Sequence, residues 1–304
     1  MEENTIKLLN RLSELKNERN AVILAHNYQI DEIQDCADYV GDSFELSKIA
    51  SETEAQVIVF CGVHFMAESA KILAPEKTVL LPDIMAGCPL ADMAAPQKVR
   101  EMKKKHPRAA VACYINTTAA VKAECDVCVT SANAEKVINN YPADEFIFLP
   151  DQNLGSYIAG KTHKKIILWE GYCITHHRVT AEDARKAREA LPNTFMMVHP
   201  ECQPEVVEMA DAALGTGGML RCARESQETR FIVGTELGLI YRLKKENPNK
   251  DFYLLSTNMI CPNMKFTNLQ KVVRSLEEMS PQIEVPEDIR IKAKTCLDRM
   301  LQYS

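Results

Sequence analysis

The chain has 304 residues, enough for about two domains of average size, and its content of 46% hydrophobic and 26% charged residues is that of a globular protein. A net charge of −6 and an isoelectric point near 5.7 argue against a nucleic-acid-binding surface, which carries a basic stripe. No apolar run approaches the ~18 residues that cross a bilayer, and the first residues, MEENTIKLLNRL, lack the apolar core of a signal peptide. We therefore expect a cytoplasmic protein that binds neither nucleic acid nor membrane.

The predicted elements begin with an amphipathic helix over residues 2–19 and end with a helix over 287–302. Between them, one pattern occurs three times. Each copy opens with a strand-like apolar run and a polar triplet, and a hydroxyl residue lies 17 positions after the first residue of the triplet. The runs and triplets are AVILA before His26-Asn27-Tyr28, AAVAC before Tyr114-Ile115-Asn116, and TFMMV before His199-Pro200-Glu201. The hydroxyl residues are Ser43, Ser131 and Thr216, each five residues after an aspartate (Asp38, Asp126 and Asp211).

Two more apolar runs follow in each copy, and a cysteine comes shortly after the second of them. The first of these runs are QVIVF, EFIFL and RFIVG, the second are TVLLP, KIILW and FYLLS, and the cysteines are Cys88, Cys173 and Cys261. Corresponding triplets and cysteines in successive copies lie 85 or 88 residues apart. Agreement at so many positions indicates that the chain is an internal triplication.

Helical stretches lie between the apolar runs, for example at 65–73, 156–162 and 237–246. Short apolar runs that alternate with helices predict parallel sheets covered by helices on both faces. We therefore predict an α/β fold of three homologous three-layer α/β/α domains, in a pseudo-threefold arrangement around a central site. The predicted domains are 1–100 with the N-terminal helix, 101–185, and 186–304 with the C-terminal helix, joined by short linkers around 92–107 and 177–193.

The cysteines near the ends of the three copies are the candidate metal ligands. Ligands of parallel sheets collect beyond the carboxyl ends of the strands, so Cys88, Cys173 and Cys261 should meet at one point. Three thiolates with no matching fourth suggest a [4Fe-4S] cluster with one iron free of protein ligands, which can act as a Lewis acid. The alternative for each cysteine taken singly is a buried thiol without function.

The only CxxC of the chain, formed by Cys125 and Cys128, lies just before the hydroxyl of the second copy. When the three copies are aligned on their hydroxyl residues, the other two have alanine or valine at both cysteine positions. Cysteine behaves there as a small hydrophobic residue. We therefore expect these two thiols to be buried rather than to form a redox pair.

The hydroxyls and triplets predict an anion-binding cavity. As N-cap residues the hydroxyls would each serve only their own helix, whereas three helix N-termini facing one cavity suit carboxylates or phosphate. The triplets add acid–base groups and one neutral amide on the same rim: His26, Tyr28, Tyr114, Asn116, His199 and Glu201. With a cluster, this set suits dehydration or condensation of a small polycarboxylate or phosphate ester.

At this level of detail the motifs resemble one family, the quinolinate synthases of de novo NAD biosynthesis. The matching stretches run in family order from about residue 22 to residue 270: LAHNYQ, GDS, GVHFMAE, GCP, YINTT, TSAN, PDQNLG, HPEC, TGGM, GTELG and CPNMK. The combination of LAHNYQ, GDS, TSAN and HPE is specific to that family. One position departs from it, because family members often have Ser-Thr-Gly where this chain has Gly215-Thr216-Gly217. The departure removes one candidate hydroxyl for an anion.

The resemblance implies a central [4Fe-4S] cluster held by Cys88, Cys173 and Cys261. It also implies condensation of iminoaspartate with dihydroxyacetone phosphate to quinolinate, phosphate and two waters. Tyr28 and Glu201 would transfer protons and Tyr114 would position the substrate. The implied substrate-binding residues are His26, Ser43, Tyr114, Ile115, Asn116, Ser131, His199, Pro200, Glu201 and Thr216. An aspartate oxidase or dehydrogenase would act upstream as a functional partner.

Two other functions stay open at the level of sequence. The triplicated cavity could belong to a binding module that captures a dicarboxylate, with a structural or oxygen-sensing cluster. It could also belong to another iron–sulfur hydro-lyase acting on a different polycarboxylate. A radical enzyme that uses S-adenosylmethionine is disfavoured, because the chain has no CxxxCxxC.

Overall fold

Three parallel sheets of four strands each form the framework of the protein. The computed structural model describes residues 3–304. The strands are β1 Ala21–His26, β2 Tyr39–Gly41, β3 Val57–Cys61, β4 Thr78–Leu80, β5 Ala110–Tyr114, β6 Val127–Val129, β7 Glu145–Leu149, β8 Lys165–Leu168, β9 Phe195–Val198, β10 Ala212–Ala213, β11 Arg230–Gly234 and β12 Asp251–Leu254. The strand orders are β2-β1-β3-β4, β6-β5-β7-β8 and β10-β9-β11-β12. One topology repeated three times confirms the predicted triplicated α/β fold.

The predicted apolar runs form the strands because they can be buried on both faces. The two inner strands of each sheet are almost entirely buried, as in β3, where every residue from Val57 to Cys61 lies inside. Continuous apolar strands of this kind are typical of parallel sheets between two helical layers. The strands β1 and β5 run one residue further than predicted, through His26 and Tyr114. The first polar residue of the triplet is therefore held by the sheet itself.

The three repeated aspartates join the first two strands of each sheet. The Asp38 carboxylate accepts the Ile23 N–H at 2.8 Å, and the Asp38 N–H donates to the Ile23 carbonyl at 3.0 Å. Asp126 with Val111 and Asp211 with Met196 form the same reciprocal pair. A carboxylate that accepts a backbone N–H can stand in for a partner strand at this edge. The repeated aspartate is thus explained by the fold rather than by chemistry.

Sixteen α-helices lie within residues 3–304. They are α1 Glu3–Arg19, α2 Asp31–Cys36, α3 Ser43–Glu52, α4 His64–Leu73, α5 Pro89–Asp92, α6 Pro96–Lys105, α7 Ala119–Lys122, α8 Ala134–Asn140, α9 Gln152–Ala159, α10 Ile174–His177, α11 Ala181–Ala190, α12 Pro204–Glu208, α13 Thr216–Glu225, α14 Gly238–Glu246, α15 Leu269–Glu278 and α16 Glu287–Tyr303. The predicted terminal helices correspond to α1 and α16; residue 2, where the first was predicted to begin, lies outside the described residues. No helix in the described part of the chain has the length and apolar character to cross a membrane.

Two helices occupy the stretches that we expected to be linkers. The helix α6 begins with proline at its first position and buries only Val99. The helix α11 begins with a capping box between Thr180 and Asp183 and buries only Ala184. Capping residues start these helices although their apolar faces are too narrow to predict them from periodicity.

The last two helices pack away from the third sheet. The helix α15 places Val272 and Leu276 in one apolar cluster with Leu12 of α1 and Val59 of β3. The helix α16 shares another cluster with residues of β5 and β6. The C-terminal segment therefore contacts the first two sheets, while the predicted domain boundaries stay a prediction.

Candidate active site

One cavity lies where the carboxyl edges of the three sheets meet. The sequence-predicted residues that line it are His26, Tyr28, Ser43, Cys88, Tyr114, Ile115, Asn116, Ser131, Cys173, His199, Glu201, Thr216 and Cys261. Pro200 is buried beside them but is not part of the lining. A convergence of groups from three separate sheets is the arrangement that the triplication predicts.

Each of the three cysteines stands immediately before a short helix. Cys88 precedes α5, Cys173 precedes α10, and Cys261 precedes a 3₁₀ helix over Pro262–Lys265. Backbone N–H groups of each short helix act to lower the pKa of its cysteine thiol, against the larger effect of burial, which raises it. Such donors stabilise a thiolate, which is the form that binds a metal.

Side chains and carbonyls tie the three cysteine loops into a ring. Asn263 donates to the Gly87 carbonyl at 2.8 Å, and Thr175 contacts the Ile260 carbonyl at 3.5 Å. The Trp169 indole N–H closes the ring by donating to the Met93 carbonyl at 3.0 Å. The loops are therefore held close together by contacts between every pair of repeats.

The donor chemistry of this ring fits a metal cofactor. Burial raises the pKa of the Cys88 thiol to about 12, so the thiol is protonated unless a cation takes the place of its proton. Within residues 3–304, no fourth cysteine lines the cavity. A second donor set adjoins the first, because Cys173 Sγ and ligand atoms of His176 and Glu201 lie within 4.8 Å of one another.

Two buried carboxylates hold the backbone of the cysteine loops. Asp151 accepts the N–H of Cys173 at 2.9 Å, and Glu236 accepts the N–H of Cys261 at 3.1 Å. Both lie two residues beyond the third strand of their sheet, where the first repeat has Val63. A carboxylate thus accepts the cysteine N–H in two of the three loops, whereas within residues 3–304 none accepts the N–H of Cys88.

Glu201 lies between two imidazoles at the centre of the cavity wall. Its Oε2 atom is 2.9 Å from His176 Nδ1 and 3.2 Å from His199 Nδ1, and the two rings stack with centroids 4.7 Å apart. Burial acts to raise the pKa of Glu201. The combined effect of His199 and His176 is larger and opposite, so the pKa lies below its ordinary value. Glu201 is therefore a buried carboxylate kept ionised by its neighbours.

A hydrogen-bonded chain connects Glu201 to Tyr28. The Tyr28 hydroxyl lies 2.6 Å from Thr235 Oγ1, which lies 2.9 Å from His176 Nε2. Because the ionised carboxylate only accepts, His176 Nδ1, which also lies 3.1 Å from Cys173 Sγ, is the donor on that side, and in the neutral imidazole Nε2 then accepts from Thr235. Burial raises the pKa of Tyr28 well above its ordinary value, so the phenol keeps its proton at neutral pH. The chain offers a path for a proton between the cavity and Glu201.

The three hydroxyls lie at the starts of helices but cap none of them. The N-cap residues are Asp42, Asn133 and Gly215; Ser43 and Thr216 directly follow theirs, and Ser131 lies two residues before Asn133. Ser43 and Ser131 make no side-chain hydrogen bond with the described residues, which leaves both hydroxyls available to a ligand. A Cβ atom on Gly215 would lie 2.7 Å from Ser131 Oγ, so the missing side chain at 215 makes room for the Ser131 hydroxyl.

Two buried oxygen atoms of the cavity have no partner within residues 3–304. They are Oδ1 of Asn116 and Oε1 of Glu201. Buried acceptors without a partner cost free energy, and native proteins rarely keep them empty. Both atoms therefore indicate that a ligand with hydrogen-bond donors binds here.

Comparison with known proteins decides the family. The model of the quinolinate synthetase A protein family matches residues 10–302. The chain belongs to this family. It is 55% identical to a quinolinate synthase of Caldicellulosiruptor bescii over 296 residues, which cover 97% of this chain and 98% of the relative. It is 52% identical both to a quinolinate synthase of Dehalococcoides mccartyi, over 96% of this chain and 97% of the relative, and to quinolinate synthase 1 of Methanosarcina acetivorans, over 97% of each.

Membership of this enzyme family confirms the resemblance inferred from the motifs and excludes a binding module. Sequence reasoning missed His176, Thr235, Asp151 and Glu236, which complete the site of this family member. A usable signal existed for the two carboxylates, because they lie 85 residues apart, at the spacing of the repeat. No such signal marks His176 or Thr235, because neither has a counterpart in another copy.

The CxxC motif lies in the core of the second repeat, outside the cavity. Cys128 is a residue of β6 and is fully buried, and Cys125 is nearly so. They lie near Cys113, whose Sγ atom is 3.5 Å from that of Cys296. The predicted burial of both thiols is confirmed.

Proposed function

We propose that this family member condenses iminoaspartate with dihydroxyacetone phosphate to quinolinate, phosphate and two waters. The observation that supports this most strongly is one cavity that joins three cysteines, three hydroxyls and the Glu201–His176–Thr235–Tyr28 chain. The cysteines suit a cluster, the hydroxyls suit an anion, and the hydrogen-bonded chain suits proton transfer. The proposal includes a cytoplasmic role in NAD biosynthesis, with iminoaspartate supplied by an aspartate oxidase or dehydrogenase.

Cys88, Cys173 and Cys261 would hold a [4Fe-4S] cluster. Their loops form a ring, and backbone N–H groups stabilise each thiolate. When bound, such a cluster supplies a Lewis acid at the iron that has no protein ligand.

The hydroxyls and amides of the cavity would bind the anionic groups of the substrates. Ser43, Ser131 and Thr216 lie at the N-terminal ends of helices, where backbone N–H groups favour negative charge. Asn116 lies on the same wall beside Tyr114, and the carboxamide Oδ1 is free to accept from a substrate hydroxyl or imine N–H. These contacts would hold the two substrates next to each other, which supplies much of the rate of a condensation.

Proton transfer would run through the buried polar chain. The ionised Glu201 can accept a proton, and His176 and Thr235 connect it to the protonated Tyr28 phenol. Burial also raises the pKa of Tyr114 well above its ordinary value, so this phenol is a hydrogen-bond donor to substrate at neutral pH. One acid and one base on the same wall suit a reaction that loses two waters.

Formation of quinolinate by anaerobically prepared protein tests the proposal. We expect the pyridine dicarboxylate to appear when both substrates are supplied, and one phosphate to be released for each quinolinate. A protein with its full iron content that forms no quinolinate would contradict the proposed function. Release of water from another polycarboxylate would then favour a different hydro-lyase.

Replacing Tyr28 by phenylalanine tests the role of the chain within this function. Tyr28→Phe removes the hydroxyl that contacts Thr235 and keeps the ring in place. We expect kcat to fall about a hundred- to ten-thousandfold with a small change in KM, as for loss of a general acid. The matched control is Tyr241→Phe, whose hydroxyl contacts Asp35 on the surface. Equal kcat values for the two variants would contradict the assignment.

A further inference from the structure

Asn27 is a fully buried polar residue to which neither the fold nor the proposed chemistry has so far given a role. It is the middle residue of the first triplet, and the other copies have Ile115 and Pro200 at this position. Its Nδ2 atom lies 3.0 Å from Thr216 Oγ1 of the third repeat. Its Oδ1 atom lies 2.7 Å from Nη1 of Arg242, on α14. Asn27 therefore bridges a guanidinium group and a hydroxyl of the cavity.

The guanidinium group fixes the direction of every hydrogen bond in this bridge. Arg242 can only donate, so the atom of the Asn27 amide that faces it must be the oxygen. The amide NH₂ then faces Thr216 and can only donate to it. The same Nη1 atom also donates to the Val40 carbonyl at 2.7 Å, which holds the guanidinium group in place.

Thr216 is left with its own proton free. Its Oγ1 atom accepts from Asn27 and has no other partner within residues 3–304, and the residue lines the cavity. Ser43 and Ser131 have no such fixed neighbour, so their hydroxyls can rotate between donor and acceptor directions. A donor that itself accepts a hydrogen bond from a charge-polarised amide is strengthened by cooperativity.

We propose that Arg242 and Asn27 are positioning residues that make Thr216 a fixed donor to an anionic oxygen of the substrate, a carboxylate or a phosphate. Since Gly215 has no side chain, Thr216 is the one hydroxyl at the start of α13, and its direction decides what this helix end binds. The bridge also links the first and third repeats. The inference rests on the proposed function, because it assumes that anionic substrates bind here.

Asn27→Asp is the decisive variant. The change is isosteric and keeps the contact with Arg242 as an ion pair, but the atom that faces Thr216 becomes an acceptor. The Thr216 hydroxyl then donates to the introduced carboxylate in place of the substrate. We expect KM for one substrate to rise about ten- to a hundredfold, as for loss of one hydrogen bond to a charged group, while kcat changes much less.

Calorimetry on the protein with its full iron content measures the binding of quinolinate and of inorganic phosphate. The comparison identifies the anionic group that Thr216 binds. Weaker quinolinate binding assigns Thr216 to a carboxylate, and weaker phosphate binding assigns it to the phosphoryl group; either supports the proposal. The double variant Asn27→Asp with Thr216→Ala should bind the anion as tightly as Thr216→Ala alone, because both changes remove the same hydrogen bond to the anion. Asn139→Asp, at an exposed site on α8, is the matched control and should bind both anions with the affinity of the parent protein.

Unchanged binding of both anions in Asn27→Asp, or additive effects in the double variant, would overturn the proposal. Arg242→Met, which frees the amide to turn, provides a second test if Asn27→Asp does not fold; it should weaken binding of the same anion several-fold, and an unchanged affinity would also overturn the proposal. Failure of the proposed function is a different result, since the parent would then form no quinolinate. Binding by calorimetry does not depend on turnover, so the two failures are distinguishable.

Discussion

Alanine in place of Cys88, Cys173 or Cys261 is expected to reduce bound iron to background and to abolish quinolinate formation. Each of these thiols comes from a different repeat and faces the same cavity, so no neighbouring cysteine can replace a missing one. Metal and absorbance analysis of the anaerobically purified variants measures the first effect, and product formation measures the second.

Cys125→Ala is the matched control for these three variants. Cys125 is buried in the second repeat, outside the cavity, where the sister copies have alanine. We expect full iron content, full activity and a loss of stability of about 1 kcal/mol or less. Retention of the iron–sulfur spectrum by any of the first three variants, or its loss in Cys125→Ala, would contradict the assignment of ligands.

The success of the sequence in locating these cysteines has a physical reason. A triplicated chain repeats the same strand order, so residues at the same register position must meet where the three sheets meet. Cys88, Cys173 and Cys261 are therefore placed by symmetry, without knowledge of any side-chain contact. The same argument placed Ser43, Ser131 and Thr216 in the cavity.

Residues that break the symmetry could not be found in this way. Asn27 contacts Arg242, 215 positions away, and neither residue has a counterpart in the other copies that would mark it. His176 and Thr235 meet across two repeats, and their contact depends on the packing of two domains. Periodicity describes one element at a time, whereas these contacts arise only after the domains have assembled.

Local signals also account for the helices that occupy the predicted linkers. The helix α6 carries a run of lysines and buries only Val99, so its apolar pattern is too sparse to stand out. Its start depends on Pro96, whose fixed φ suits the first turn of a helix. Such helices are recognised by their first residues rather than by their faces.

Glu201→Gln is expected to lower kcat about a hundred- to ten-thousandfold. Glutamine keeps the size of the side chain but carries no charge, so it cannot take a proton from His176. Both imidazole contacts are made to the single Oε2 atom, so an amide oxygen in its place keeps the geometry, and the variant loses only the charge and the base.

Iron content and quinolinate affinity separate this effect from general damage. In the proposed function the cysteines hold the cluster, so Glu201→Gln should keep its iron and its absorbance, and it should bind quinolinate within a few-fold of the parent. Glu205→Gln, an exposed change on α12, is the matched control and should keep the parent's kcat. A Glu201→Gln protein with full iron content and the kcat of the parent would show that another group is the base of the reaction.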